Sequence, residues 1–213
     1  MVTSKNSQSD DFDLKKSCAF LGRMIRYGII EGSRTILFIK AGQDGSVYGY
    51  DNKYLKIARK INKKYGCTII CASNPFDGKN NPLDYDMNIV DDYCKKFNDY
   101  KVYYMGHSNG GVIGAIWGYQ YPQIKGMLLV NPPLFYNWHK IKAGLSAFRG
   151  DKCFVIIGEL DSSHKYAQMI DLIKNDRVKV DTIKNADHNF TNSISDFMNL
   201  PETYLLPSTI FKT

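Results

Sequence analysis

The chain has 213 residues, a length that fits one α/β domain with a sizeable core and leaves little room for a second domain. Hydrophobic residues make up 44% and charged residues 23%, which excludes a disordered or fibrous chain. The net charge of +7 suggests nucleic-acid binding, but the lysines are spread along helical segments and are not interleaved with aromatic residues. We therefore expect solvated helix faces, no nucleic-acid partner and at most a weak preference for anionic substrates.

Residues 1–13 are polar, with acidic residues toward their end. They lack the apolar centre of a signal peptide, so we interpret them as a disordered leader before a single domain of residues 14–213. No apolar stretch approaches the roughly 18 residues that a membrane helix needs. We therefore expect a cytoplasmic protein without a membrane partner.

Strand-like and helix-like hydrophobic patterns alternate along the chain. Residues 17–31 are compatible with an antiparallel pair of strands at one edge of a sheet. The predicted strands are residues 35–40, 67–72, 102–105, 126–130, 153–157 and 178–183, and the predicted helices are residues 52–65, 87–97, 109–121, 164–174 and 191–198. This alternation predicts an α/β fold in which a mostly parallel sheet is covered by helices on both faces. Ligands bind such sheets beyond the carboxyl ends of the strands, and a turn-rich loop follows one of them at residues 74–84.

The cysteines argue against a disulfide framework, because there are five of them at irregular spacing. Cys67 and Cys71 lie four residues apart in a predicted strand and therefore share a face. A metal pair there would need partner ligands, which neither a nearby histidine nor a second cysteine pair supplies. We expect buried thiols, no metal site and a reducing compartment.

The strongest motif is G-x-S-x-G, formed by Gly106, Ser108 and Gly110 between a predicted strand and a predicted helix. A serine on so tight a turn leaves no room for side chains two positions to either side, which demands the glycines. The turn lifts the serine hydroxyl clear of the sheet and aims the Asn109 N–H at a developing oxyanion. The simpler alternative is a serine that caps the helix, but capping does not require glycines on both sides.

The same segment also has the glycine spacing of a phosphate-binding loop, between Gly106 and Gly111. Val112 and Ile113 stand where the lysine and the hydroxyl residue of such a loop would be needed. Without that charge the phosphates would not be held, so we exclude this interpretation.

Two later strand ends supply an acid and a base, in the order serine, aspartate, histidine. Asp161 follows residues 153–157, and His188 is the one histidine on a loop after a late strand. A serine hydroxyl needs a base to remove its proton, and the base needs a carboxylate to hold its tautomer. Glu159 and Asp187 are competing candidates for the carboxylate, and a plain surface role for His188 is also open.

With these motifs the chain resembles the α/β-hydrolase superfamily over about residues 34–198. The resemblance implies a central sheet, acyl-transfer chemistry and a triad in this chain order. Carried over by position, Ser108 is the nucleophile, His188 the base and Asp161 the residue that orients the base. No metal or organic cofactor is implied.

One departure from the superfamily lies after the first core strand, where many members carry a His-Gly pair. Here Ala41 precedes Gly42, so the glycine is present and the histidine is not. The oxyanion hole needs only backbone N–H groups from this loop. We therefore expect the amides of Gln43 and Asn109 to form it.

The connection of residues 131–152 is short compared with relatives that insert a whole cap there. Its aromatic residues either wall an acyl pocket or pack a short helix onto the sheet, and the sequence leaves both open. So small a cover predicts an open site that favours short acyl groups over long lipid chains. The residues expected to contact the substrate are Gly42, His107, Phe135, Tyr136 and Trp138.

The leading expectation is a serine hydrolase that cleaves small-molecule carboxylic esters of short acyl groups through an acyl-enzyme intermediate. A thioesterase or peptidase would use the same triad, because fold and triad do not choose the leaving group. A non-catalytic binding protein on a hydrolase fold is the alternative from another class. The missing histidine before Gly42 favours it slightly, and the intact triad argues against it.

Overall fold

The computed structural model describes residues 11–75 and 80–206. These residues form one eight-stranded sheet whose strands are β1 (Leu14–Phe20), β2 (Arg23–Ile30), β3 (Ser33–Lys40), β4 (Cys67–Ala72), β5 (Lys101–His107), β6 (Ile124–Val130), β7 (Lys152–Gly158) and β8 (Val178–Ile183). The spatial order is β1-β2-β4-β3-β5-β6-β7-β8. The β1–β2 and β2–β4 pairs are antiparallel and all the others are parallel, which confirms the predicted edge pair and parallel core.

Helices cover both faces of the sheet, because β-strands buried on both sides need apolar cover on both sides. The helices are α1 (Lys53–Tyr65), α2 (Leu83–Cys94), α3 (Asn109–Trp117), α4 (Trp138–Ala147) and α5 (Ile194–Leu200). Helices α2, α3 and α4 share one apolar cluster, and α1 and α5 share the other. In β3, Phe38 faces the first cluster and Leu37 and Ile39 the second, as the two-residue period of a strand requires.

The predicted and observed elements differ mainly at helix ends. Helix α1 ends at Tyr65, and the φ of 65° at Gly66, which follows it, is the left-handed conformation that glycine supplies at a helix terminus. The helix predicted over residues 109–121 stops at Trp117 and continues as the 3₁₀ turn Gly118–Gln120. The helix predicted over residues 164–174 is the 3₁₀ helix His164–Leu172. Among the described residues, no helix has the length and apolarity needed to cross a bilayer.

The N-terminal boundary of the fold lies earlier than the sequence indicated. Phe12 is buried and contacts the ring of Tyr48, and the amide of Asp13 donates to the carbonyl of Ile29. The leader predicted through Asp13 is therefore corrected for residues 11–13, because the aromatic ring finds an apolar partner. The rest of the leader, residues 76–79 of the predicted loop and residues 207–213 of the predicted domain lie outside the described residues.

Cys67 and Cys71 are free thiols buried on the same face of β4, as predicted. Burial in apolar surroundings disfavours the charged thiolate and raises the pKa of Cys67 to about 12. No cluster of metal-ligating side chains occurs in the part of the chain that the structure describes.

A buried ion pair anchors the end of β3 to α2. Lys40 Nζ lies 2.8 Å from Asp86 Oδ2, both side chains are fully buried, and the Tyr27 hydroxyl donates to Asp86 Oδ1. Removing one partner of such a pair leaves an uncompensated charge at a cost of about 3–5 kcal/mol. The pair therefore fixes the end of β3, whose backbone borders the turn that carries Ser108.

Candidate active site

Ser108 sits on a strained turn between β5 and α3. Its φ of 54° and ψ of −123° lie where a non-glycine residue costs about 1–3 kcal/mol. A Cβ on Gly106 would lie 2.3 Å from the carbonyl oxygen of Gly110, and one on Gly110 would lie 2.4 Å from that of Lys40. The glycines are thus required by close backbone contacts with α3 and β3, as the motif predicted.

The Ser108 side chain does not cap α3. Its Oγ lies 3.0 Å from His188 Nε2, and His188 Nδ1 lies 2.5 Å from Asp161 Oδ2. An ionised carboxylate only accepts hydrogen bonds, so Nδ1 carries the proton and the Nε2 lone pair faces the serine hydroxyl. Asp161 and Ser108, which lie 27 and 80 positions before His188 along the chain, therefore form one hydrogen-bonded series with it.

The Asp161 carboxylate is fully buried. Burial by itself raises its pKa, but the hydrogen bonds from His188 and from the Ser163 amide, 2.6 Å from Oδ1, outweigh burial and hold the pKa below its usual range. The group is therefore ionised at neutral pH and accepts the hydrogen bond from His188 Nδ1.

The two competing carboxylates are engaged elsewhere. Glu159 accepts a hydrogen bond from the Asn185 amide at 2.9 Å. Asp187 accepts from the amides of Asn189 and Thr191, and thereby shapes the loop that carries His188.

Two buried side chains hold the backbone of His188. His107 Nε2 lies 2.8 Å and Asn131 Nδ2 3.0 Å from the His188 carbonyl oxygen. Burial lowers the pKa of His107 to about 3, so its ring is neutral. Because Nε2 donates to a carbonyl, Nδ1 is the acceptor for the Tyr54 hydroxyl 3.3 Å away. Asn131 also accepts from the Gly158 amide at 2.7 Å, which ties β7 to the His188 loop.

We expect Asn131→Gly to destabilise the fold. Glycine adopts the φ of 47° found at Asn131 without strain, so the variant isolates loss of the side chain. The Gly158 amide then loses its buried acceptor, which costs about 1–3 kcal/mol. A chain of this size should lose roughly 2–10 °C in Tm by calorimetry. The exposed Asn98→Gly is the control, and an unchanged Tm for Asn131→Gly would contradict the tie.

No protein-family model and no curated protein sequence matches the chain, but solved structures do. A lidless α/β serine hydrolase from Xanthomonas campestris matches with a TM-score of 0.68 at 12% identity, covering 89% of this chain and 92% of that one. An α/β serine hydrolase homologue from Coxiella burnetii gives 0.67 at 16% identity, covering 89% and 95%. Est1E from Butyrivibrio proteoclasticus gives 0.66 at 14% identity, covering 87% and 94%.

These matches extend over nearly the whole of each chain and share one architecture. The chain has the α/β-hydrolase fold. Within this fold the β6–β7 connection contains only the short helix α4, so the cover predicted to be minimal is minimal.

The loop after β3 lies close to the turn that carries Ser108. A Cβ on Gly42 would lie 3.2 Å from Ser108 Cβ, and Gln43 Oε1 accepts from Asn109 Nδ2 at 2.6 Å. Among the described residues, the backbone N–H groups of Gln43 and Asn109 have no hydrogen-bond acceptor. Within that part of the chain, both amides are therefore left without an acceptor beside the turn that carries Ser108.

A cleft of about 560 Å³ opens at Ser108. We call it the site cleft. It is lined by residues 42–46, Gly49, Tyr50, Lys53, Tyr54, His107, Ser108, His188 and Asn189. Gly42 and His107 lie at the cleft as expected, but both ring nitrogens of His107 are already engaged, so that residue holds the His188 loop.

The aromatic residues of the β6–β7 connection lie outside the lining of the site cleft, and their contact with a substrate stays a prediction. Phe135 and Tyr136 are exposed, with ring centroids 4.2 Å apart, and Phe135 also contacts Tyr166. Trp138 begins α4 and packs against the apolar core. The packing alternative therefore holds for Trp138, because the short connection runs directly into a helix that must cover the sheet.

Sequence reasoning missed two residues at the site. Asn131 is the first residue after β6, so the strand-end rule that found Asp161 and His188 would have pointed to it. Lys53 was interpreted as part of a solvated helix face, yet it is 2% exposed and lines the site cleft. No pattern of the sequence distinguishes it from the exposed lysines of α1.

Proposed function

We propose that the protein is a serine hydrolase that cleaves carboxylic esters of short acyl groups through an acyl-enzyme intermediate. The observation that carries the proposal is the continuous series of hydrogen bonds from Asp161 through His188 to Ser108. The similar solved structures support it, because several are named as esterases or hydrolases.

The reaction begins when His188 Nε2 removes the Ser108 proton and Oγ attacks the ester carbonyl. The tetrahedral oxyanion accepts hydrogen bonds from the Gln43 and Asn109 amides, which stabilise charge present only in the transition state and intermediate. The imidazolium, stabilised by Asp161, then gives its proton to the departing alcohol. Water attacks the acyl-enzyme with the same base, and Ser108 is regenerated.

The strain at Ser108 supports this role. Its amide donates to the Val130 carbonyl and its carbonyl accepts from the amides of Gly111 and Val112. These bonds hold the hydroxyl toward His188, so the serine does not need to be ordered again at each turnover.

Covalent labelling with a fluorophosphonate probe separates this proposal from a binding protein on the same fold. Phosphonylation at Ser108, located by peptide mass spectrometry, is the expected result, because only a base-activated serine reacts. A folded protein that takes no label would favour the non-catalytic alternative. Turnover of acyl-CoA esters or aminoacyl amides above that of oxygen esters would reassign the leaving group to a thiol or an amine.

The acyl preference should peak at chains of roughly two to six carbons, because a small open cleft buries few methylene groups at about 0.8 kcal/mol each. Initial rates over a series of p-nitrophenyl esters from acetyl to palmitoyl measure this preference. A rate that rises steadily to palmitoyl would reveal a long acyl groove and contradict the short cover.

A further inference from the structure

The ammonium group of Lys53 lies at the site cleft, in surroundings that disfavour a positive charge. It is the first residue of α1, where the positive end of the helix dipole opposes a cation, and the first turn contains no acidic residue. The residue is 2% exposed, so water stabilises its charge poorly. A lysine kept there needs a compensating partner.

The described residues supply little of that compensation. No carboxylate lies within 4.0 Å of Lys53 Nζ among them, although other lysines of α1 form such pairs. Its one hydrogen bond, to the Asn189 carbonyl, is long at 3.4 Å. The Phe197 ring, whose centroid is 4.1 Å from Nζ, provides a cation–π contact but no negative charge.

The cation lies beside the catalytic groups proposed above. Asn189, its hydrogen-bond acceptor, follows His188 directly, and Lys53 and Ser108 line the same cleft. Lys53 therefore borders the cleft that an ester at Ser108 would occupy, and its ammonium still has donors to offer.

We propose that Lys53 binds a carboxylate carried by the substrate, so that the preferred esters are anionic. This inference rests on the proposed ester hydrolysis and names its substrate class. The carboxylate would accept charge-assisted hydrogen bonds from Lys53, which gain strength because the Lys53 side chain is buried and water screens its charge poorly.

A purely positioning role for Lys53, through Asn189 and the His188 loop, gives a different result. Loss of positioning slows anionic and neutral esters equally, whereas loss of a charge contact slows only the anionic ones. Lys53→Gln keeps an N–H donor and removes the charge. Lys56→Gln makes the same change at an exposed residue of α1 paired with Asp51, and serves as the control.

The experiment compares kcat/KM for two matched pairs of esters. In the first pair, monoethyl succinate carries a carboxylate on the acyl side, and ethyl butyrate has a methyl group in its place. In the second pair, 3-acetoxybenzoate and 3-methylphenyl acetate differ in the same way on the leaving-group side. We expect the ratio of anionic to neutral kcat/KM to exceed one in at least one pair, and to fall about ten- to a hundredfold in Lys53→Gln but not in Lys56→Gln.

The ratio should also depend on pH. Burial lowers the pKa of Lys53 to about 8, and the charge of Asp187 on the His188 loop opposes part of that shift. The preference for the anionic ester is therefore present below about pH 8 and is lost as the ammonium loses its proton above it. His107 stays neutral throughout and the buried Tyr54 hydroxyl stays protonated. The proposed base, His188, serves both esters alike, so the ratio isolates Lys53.

Binding without turnover separates this inference from the proposed function. Monoethyl succinate is titrated by ligand-observed NMR into Ser108→Ala, with and without Lys53→Gln. If the wild-type protein hydrolyses no ester while binding of monoethyl succinate to Ser108→Ala still needs Lys53, the proposed function is overturned and the carboxylate site stands. If Lys53→Gln slows the anionic and the neutral ester equally, so that the ratio of their kcat/KM values equals that of the wild type, the carboxylate site is overturned.

Discussion

Ser108→Ala is expected to abolish fluorophosphonate labelling and to lower ester turnover at least about a thousandfold. In the proposed mechanism the hydroxyl forms the covalent bond of the acyl-enzyme, and its removal leaves only the oxyanion amides and binding. Those groups retain modest catalysis, so the residual rate should exceed that of the buffer. Single-turnover and steady-state assays with p-nitrophenyl acetate measure the loss.

A matched control is Ser17→Ala, since Ser17 is an exposed serine of β1 at the edge of the sheet. It should label and turn over like the wild type. If Ser108→Ala keeps more than about a tenth of the activity, another nucleophile operates and the assignment of Ser108 is wrong.

Asp161→Asn is expected to lower kcat by roughly a hundredfold or more, with little change in folding. The carboxamide presents a donor or a carbonyl where Oδ2 now faces His188 Nδ1 at 2.5 Å. When its N–H₂ group faces the ring, the proton moves to Nε2, and the base loses the lone pair that faces Ser108. The imidazolium also loses its stabilising charge. We expect the loss in kcat rather than KM, because the substrate does not touch the buried carboxylate.

Glu159→Gln and Asp187→Asn make the same chemical change at the competing carboxylates and should each cost under about tenfold. In each variant the carboxamide oxygen can still accept the hydrogen bonds that backbone amides donate to the carboxylate in the wild type. The three variants are compared at one pH, with folding checked by circular dichroism. If Glu159→Gln were the crippling change, the acid would be reassigned, while Ser108 and His188 would keep their roles.

The sequence by itself determined the features that depend on local chemistry. The glycines around Ser108 predicted the tight turn, because a Cβ at Gly106 or Gly110 collides with backbone whatever surrounds the turn. The buried β-branched runs predicted the parallel strands, and their order put Asp161 and His188 after late strands. These inferences hold because backbone sterics and strand periodicity act over a few residues.

Only the tertiary structure decided which groups meet. It distinguished Asp161 from Glu159, since that choice depends on where the β7 and β8 loops converge. It also showed that Phe135 lies outside the lining of the site cleft and that Lys53 lies within it. Such outcomes depend on packing between segments that are far apart in the chain, and a hydrophobic pattern records whether a residue is apolar rather than what it faces. The sequence therefore does not distinguish Lys53, at the start of an amphipathic helix, from the exposed lysines of the same helix. Only the fold buries its side chain in the cleft that Ser108 also lines.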